Sequence, residues 1–281
     1  MMLVLTLLCR DEADILESML RFHLAQGVDR IIATDNGSVD GSLEILQRFE
    51  RRGQLTLLQE AEHTHDQAIW VTRMARMAAV MGADWVINSD ADEFWWPEEN
   101  NLKNIFDSIP EQIDGLSVQR SNYLPPRRKP KQRKRQHHTS TLREKDSKTS
   151  EGLPLPPKVC HRGDINVQIG DGNHRVSSNT KTWNIAPTQE ITILHYPVRS
   201  LNQLERKIRQ GTEALRRNQR VGPGVGKSWK EIYDNHLSQG DLTAYYDNLR
   251  PSAEEIQDLL ANGDLIRDRR LQKIVLQYQH H

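Results

Sequence analysis

The chain has little of what marks several large protein classes. Cysteine occurs twice in 281 residues, as Cys9 and Cys160. The two are far apart and match no zinc or redox spacing, which argues against a disulfide framework or a zinc module and suits a reducing compartment. Neither charge sign prevails: 38 Lys and Arg face 38 Asp and Glu. Global charge therefore gives no reason to expect a nucleic acid or other polyanion as partner. The apolar stretch near the start, Met2 to Leu8, is too short to span a bilayer. Arg10-Asp11-Glu12 follows it without a small-residue cleavage site, so it reads as a buried first strand rather than a signal peptide. The expected compartment is the cytoplasm, with peripheral membrane contact open. No internal repeat is visible.

What is present is an alternation of strand and helix over the first hundred residues. Leu3 to Leu8 is apolar on both faces, as a central parallel strand requires. Asp11 to Asp14 supply helix-start chemistry, Ile15, Met19 and Phe22 recur at helical spacing, and Gly27 closes that helix. Arg30 to Thr34, Gln54 to Leu58 and Trp85 to Asn88 are the next strands. Leu43 to Phe49 is a helix between them. Another opens at Asp66 or Gln67 and carries Trp70, Met74, Met77 and Met81 on one apolar stripe, which reads as core. This alternation predicts an α/β, doubly wound sheet with right-handed crossovers.

The pattern changes after Pro97. Gly115 to Gln119 is an expected strand. Residues 125–158 hold six prolines and a basic run from Arg127 to Arg135, with too few apolar residues for a core. A mobile insertion is expected there. Its basic run lacks interleaved aromatics, so no single-strand nucleic-acid platform is expected. Val167 to Ile169, Trp183 to Ile185 and Ile191 to Leu194 read as short strands of an α+β half. Leu201 to Asn218 reads as an amphipathic helix, and Ala253 to Gln279 as a helical tail interrupted at Asn262-Gly263.

Two acidic sites close two of the strands. Asp35 opens the turn Asp35-Asn36-Gly37-Ser38-Val39-Asp40-Gly41-Ser42. Asp90-Ala91-Asp92-Glu93 puts three carboxylates into four residues. Such carboxylates repel one another unless a cation sits between them; the alternative is a solvated acidic turn. In an open α/β sheet, ligands bind beyond the carboxyl ends of the strands. One carboxylate could accept hydrogen bonds from a base or ribose, and the other pair could hold a metal on a diphosphate.

These residues carry a resemblance. Arg10-Asp11-Glu12 after the first strand, the Asp35 to Ser42 turn and the D-x-D of Asp90 and Asp92 together resemble glycosyltransferase family 2 and its close relatives, with Asn36 where the family has a second Asp. The resemblance covers residues 2–97 and extends to His195-Tyr196-Pro197. It implies a GT-A, Rossmann-like mixed sheet. Residues 1–220 would form the transferase domain, with 1–97 holding the nucleotide sugar, 125–158 inserted and 159–220 facing the acceptor. Residues 221–281 would be a helical extension. It also implies a metal-dependent, inverting transfer from a nucleotide-diphosphate sugar to a glycan, lipid-linked or other hydroxyl, as in surface glycan or polysaccharide synthesis.

By that resemblance Asp35 accepts from the base, and Asp90 faces ribose or metal. Asp92, with Asp90 and His195, binds Mn2+ or Mg2+. Arg73, on the helix before the metal strand, either pairs with phosphate or is a solvated helix-face arginine. Glu93 orients the metal site or is a loop charge. Trp95 and Trp96 pack on a sugar or belong to the core. The general base that deprotonates the acceptor is expected in Gly170-Asp171-Gly172-Asn173-His174, with Asp171 preferred over His174. Asp164 and Glu190 are further candidates. Two other readings remain: a nucleotidyltransferase on a similar sheet, disfavoured because Leu8 to Glu12 holds no glycine, and a non-catalytic nucleotide-binding scaffold.

Overall fold

The computed structural model describes residues 1–60, 66–127, 140–149, 151–218 and 225–278. Its first part is built from strands β1 (Leu3–Cys9), β2 (Arg30–Asp35), β3 (Leu55–Gln59) and β4 (Trp85–Asp90). They alternate with helices α1 (Leu16–Ala25), α2 (Ser42–Arg51) and α3 (Gln67–Val80). The four strands are parallel, with β1 between β2 and β4. Leu3, Val4, Leu5 and Leu7 are wholly buried, because a parallel strand covered on both faces alternates only between two apolar layers.

Further strands extend the sheet beyond β4. They are β5 (Glu93–Pro97), β6 (Gly115–Asn122), β8 (Lys158–Arg162) and β11 (Ile185–His195). Helix α4 (Leu102–Ser108) follows β5, and short strands β7 (Leu142–Glu144), β9 (Gln168–Ile169) and β10 (Val176–Ser177) lie in the connections. The eight-stranded order is β3-β2-β1-β4-β8-β6-β11-β5. Strand β8 runs antiparallel to both β4 and β6, so the sheet is mixed, and the expected α/β doubly wound class is present.

The chain forms two compact units, Met1–Arg120 with Leu155–Leu194, and Ser121–Pro154 with His195–His281. Strands β6 and β11 each pass from one unit into the other. In the first unit Val4, Ile32, Val71, Met74, Ala75, Ala78 and Val86 share one core. The second contains α5 (Leu201–Arg217), α6 (Lys227–Ile232), a π-helical turn (Tyr233–Leu237), α7 (Leu242–Asn248), α8 (Ala253–Ala261), β12 (Leu265–Arg267) and α9 (Arg270–Tyr278). Ser200 caps α5 by accepting from the Gln203 amide, and Ser252 with Glu255 forms a capping box on α8, both of which satisfy amides that a helix start leaves open. Among the described residues no helix is long and apolar enough to cross a membrane.

Three expectations change. The stripe on α3 is only half core: Trp70 and Met74 are buried, but Met81 is 40% exposed. The buried side runs instead through Val71, Ala75 and Ala78, whose small alanines let the helix lie close on the sheet. The basic run falls mostly outside the described residues, at 128–135. Downstream of it, Leu142–Glu144 is a strand paired antiparallel with β12, held because Leu142 joins Leu124, Ile256 and Leu265 in a local core. Finally, the strand expected from Trp183 starts at Ile185 and runs unbroken to His195.

Two histidines lie inside the first unit with no charged partner at hydrogen-bond distance among the described residues. His23 on α1 donates from Nδ1 to the Met19 carbonyl (2.9 Å) and accepts at Nε2 from the Trp95 amide (3.2 Å). His161 on β8 donates from Nδ1 to the Arg162 carbonyl (2.8 Å). Burial pushes each ring down to about 4, more than the backbone hydrogen bonds raise it. Each is neutral in the fold, whereas the unfolded chain protonates both near pH 6.5. Stability should therefore be full above about pH 6.5 and fall as pH drops toward about 4, by an amount on the order of 3 kcal/mol per ring. Urea unfolding at pH 7 and pH 5 checks this; equal midpoints would contradict it.

Candidate active site at the carboxyl rim

The register of the parallel strands sets the site. Cys9 pairs with Asp35 and Leu8 with Asp90, so the two aspartates end the strands on either side of β1. Two strand spacings separate them, roughly 10 Å. Asp35 is 2% exposed. Its Oδ2 accepts from the Ser38 amide at 3.0 Å, while Oδ1 is buried with no hydrogen-bond partner among the described residues. Leaving a buried acceptor unsatisfied costs about 1–3 kcal/mol, and such an atom calls for an explanation.

Two loops frame this rim and are tied together by side chains. Asp40 accepts from the Ala13 amide through Oδ2 (3.0 Å), and from the Ser42 amide (3.0 Å) and hydroxyl (2.6 Å) through Oδ1. Ser42 Oγ in turn accepts from the Glu12 amide (2.9 Å), Ser38 Oγ from the Asp11 amide (3.0 Å), and Asp11 Oδ1 from the Val39 amide (2.7 Å). Asp11 itself has φ 55° and Gly41 φ 102°; the latter is a conformation that glycine adopts without strain. The guanidinium of Arg10 donates to the Asn36 carbonyl. Asn36 therefore does not leave a gap where a second carboxylate was expected: its amide donates to the Glu60 carbonyl (3.3 Å). Arg73 is placed against Glu60 by a 2.6 Å ion pair, its side chain 43% exposed.

The acidic turn is organised around a cation that the sequence did not advertise. Lys158, the first residue of β8, is 1% exposed, and its Nζ lies 2.5 Å from Asp90 Oδ2 and 3.1 Å from Glu93 Oε1. Burial draws the ammonium down, but Asp90 and Glu93 outweigh that and leave its pKa raised. Arg120 stands 3.8 Å from the same Glu93 oxygen. Glu93 is fully buried and Asp92 3% exposed; Glu93 also accepts from the Asp90 amide (3.3 Å). Trp95 is wholly buried and Trp96 stacks on Phe22 at 5.5 Å, so both belong to packing.

The Gly170 to His174 loop meets the same carboxylate. Asn173 donates to Asp90 Oδ1 (3.3 Å), as does Gln67 at the start of α3 (3.4 Å). Gln67 also accepts from the Gly172 amide (3.2 Å). Gly172 has φ 68°, and a Cβ there would lie 2.6 Å from the His174 ring. His174 hydrogen-bonds the Pro157 carbonyl (2.8 Å), and burial pushes it down to about 4. Asp171 is exposed beside it. Sequence reasoning missed Lys158, Gln67 and Asn173; a lysine inside a proline-rich stretch carries no linear signal of burial.

His195 ends β11 in the second unit, its Nδ1 2.7 Å from Asn122 Oδ1, whereas Asp90 and Asp92 belong to the first. Among the described residues no group of three or more His, Cys, Asp and Glu side chains is arranged to hold a metal ion. Both carboxylate oxygens of Asp90 already have protein donors. As arranged, these residues do not fit a divalent cation at Asp90.

The family model that matches is glycosyltransferase family 92, over residues 10–250. A search of curated proteins returns no match. Among solved structures, TarS of S. aureus in complex with UDP is 11% identical, over 91% of this chain and 77% of that one, with a TM-score of 0.42. A second S. aureus TarS structure is 13% identical, over 91% of this chain and 46% of that one, with a TM-score of 0.43. Glucosyl-3-phosphoglycerate synthase from Mycobacterium tuberculosis, crystallised with Mn2+, UDP and glucosyl-3-phosphoglycerate, is 17% identical over 42% of this chain and 44% of that one (TM-score 0.30).

The ties through Asp40 give a local test. Asp40→Ala removes an acceptor shared by three donors, and should lower stability by about 1–3 kcal/mol. Urea unfolding would show a lower midpoint at unchanged slope; no shift would mean that the two loops hold without it.

Proposed function

Because the chain belongs to glycosyltransferase family 92, and the acidic rim of its parallel strands carries a buried, unpartnered carboxylate oxygen, we propose that this rim binds a nucleotide-diphosphate sugar and passes the sugar to an acceptor hydroxyl. The observation that carries the reading is Asp35: a carboxylate 2% exposed, with Oδ1 unsatisfied, at the strand end where α/β sheets take ligands. An N–H of the nucleobase would satisfy that oxygen. The flanking loops, tied together by Asp40, Ser38 and Ser42, hold the Asp35 carboxylate in place before the nucleotide arrives.

In the transfer, the acceptor oxygen forms a bond to the anomeric carbon as the bond from that carbon to the diphosphate breaks, inverting the centre. The proton of the acceptor passes to a base, and the electron pair leaves on the nucleoside diphosphate. Asp171 is the preferred base because its carboxylate is exposed on the loop that carries Asn173 to Asp90. His174 is the alternative, neutral and able to accept a proton at Nε2. Arg73 acts on the donor side through Glu60, whose amide donates to the Asp35 carbonyl at 2.9 Å. A Mn2+ or Mg2+ ion at Asp90 and Asp92 would have to displace Lys158 from Asp90 to bind there.

Release of free nucleoside diphosphate, not pyrophosphate, from a nucleotide sugar is the product expected of sugar transfer. Asp35→Asn keeps the side-chain shape but changes what it can accept. It should weaken UDP or GDP binding by roughly ten- to a hundredfold, the worth of a hydrogen bond to a buried charge. Calorimetric titration checks this, with circular dichroism confirming an intact fold. Asp171→Asn should leave that affinity within about twofold while lowering kcat by at least about a hundredfold. Affinity for every nucleotide unchanged by Asp35→Asn would remove the reading.

A further inference from the structure

The cluster at Asp90 poses an electrostatic question. A strongly anionic diphosphate is to bind beside three carboxylates, at a place where a divalent ion would ordinarily supply the balancing charge. The structure supplies charge of its own. Lys158 Nζ lies 2.5 Å from Asp90 and 3.1 Å from Glu93, and Arg120 lies 3.8 Å from Glu93. Two of the three carboxylates, Asp90 and Glu93, thus face two cations. Lys158 is 1% exposed and Glu93 not at all, so solvent screens the arrangement little.

Geometry also limits what else could bind. A Mn2+ or Mg2+ ion needs carboxylate oxygens at about 2.0–2.2 Å in near-octahedral array. Asp90 Oδ2 is occupied by the ammonium, and Oδ1 by Gln67 and Asn173. A divalent ion would have to sit within a few ångströms of the ammonium, or expel it from a buried site. Lys158 is also fixed by the fold. It opens β8, whose pairing of Arg162 with Trp85 sends the start of the strand toward the Asp90 end of β4.

Resting on the donor-site reading above, we infer that Lys158 is a built-in counter-charge that takes the place of a divalent cation at Asp90, so that this transferase binds its nucleoside diphosphate without metal. Lys158 is a positioning residue. It does not touch the donor; it neutralises Asp90 and Glu93 and sets their direction.

Two readouts test this. Electron paramagnetic resonance of Mn2+ added to the nucleotide-free protein should show the ion remaining free. Calorimetric titration with UDP and with GDP should give affinities in EDTA and in Mn2+ that agree within about threefold. Lys158→Met keeps the apolar stem and removes the charge. It should bind one Mn2+ per chain and gain at least about tenfold in nucleotide affinity when Mn2+ is added. Lys158→Arg, which keeps the charge, should stay indifferent to metal. One tightly bound Mn2+ per wild-type chain, or nucleotide affinity that rises tenfold or more with Mn2+ in the wild type, overturns the inference. The wild-type measurements decide even if Lys158→Met does not fold. Absence of nucleotide binding in both EDTA and Mn2+ would instead sink the donor-site reading, while the nucleotide-free Mn2+ measurement would still decide the role of Lys158.

Discussion

The pairing of β1 with β2 on one side and β4 on the other governs everything at the rim. Six residue pairs on each side fix the register. Successive side chains of a strand point to opposite faces, so a slip of one residue would turn each one over. Asp35, level with Cys9, and Asp90, level with Leu8, would each then turn from the face it now occupies. Because β1 is apolar on both faces, its register is marked by the buried hydrogen bond that Thr6 Oγ1 donates to Asn88 Oδ1 (2.7 Å) on β4. The turn after β2 adds a second lock: Asp40, Ser38 and Ser42 hold the start of the β1–α1 loop through backbone amides. Backbone donors cannot be exchanged by a rotamer change, which makes this framing stiff.

The other organising force is charge hidden from water. Isolated buried ions cost several kcal/mol each, and only close partners offset that. The acidic turn meets this condition through an antiparallel strand whose first residue, Lys158, comes 68 residues after Asp90. Its first residue must fall near the end of β4, given the pairing of Arg162 with Trp85. Fold and electrostatics are therefore coupled: the strand that widens the sheet also delivers the cation that its neighbour needs.

Much of this was legible in the linear sequence, and the reasons are specific. Leu3 to Leu8, Arg30 to Thr34 and Trp85 to Asn88 announced parallel strands because a strand buried on both faces is simply apolar. The glycine- and aspartate-rich turn at 35–42 announced a ligand-facing loop, and Asp90 to Glu93 an acidic one. The added strands β5, β8 and β11 were harder. Their partners are distant, and a pairing over long separation leaves no local period to read. Lys158 was invisible for the same reason: its environment is assembled by Asp90, Glu93 and Arg120, none of them a neighbour in sequence. The stripe on α3 misled in part because periodicity gives a face but not how far along the helix that face stays covered; Met81 has run past the core.

The path of the chain has a consequence for anyone who would take the protein apart. Each compact unit is made of two separate stretches, with the polypeptide passing over at residues 120–121, 154–155 and 194–195. No single cleavage frees either unit whole. Ending the chain after Leu194 would keep residues 121–154 while discarding the partners of β7, since β12 lies beyond the cut. Dissection by truncation would thus yield an incomplete body carrying an orphaned excursion, so the two must be made as one polypeptide.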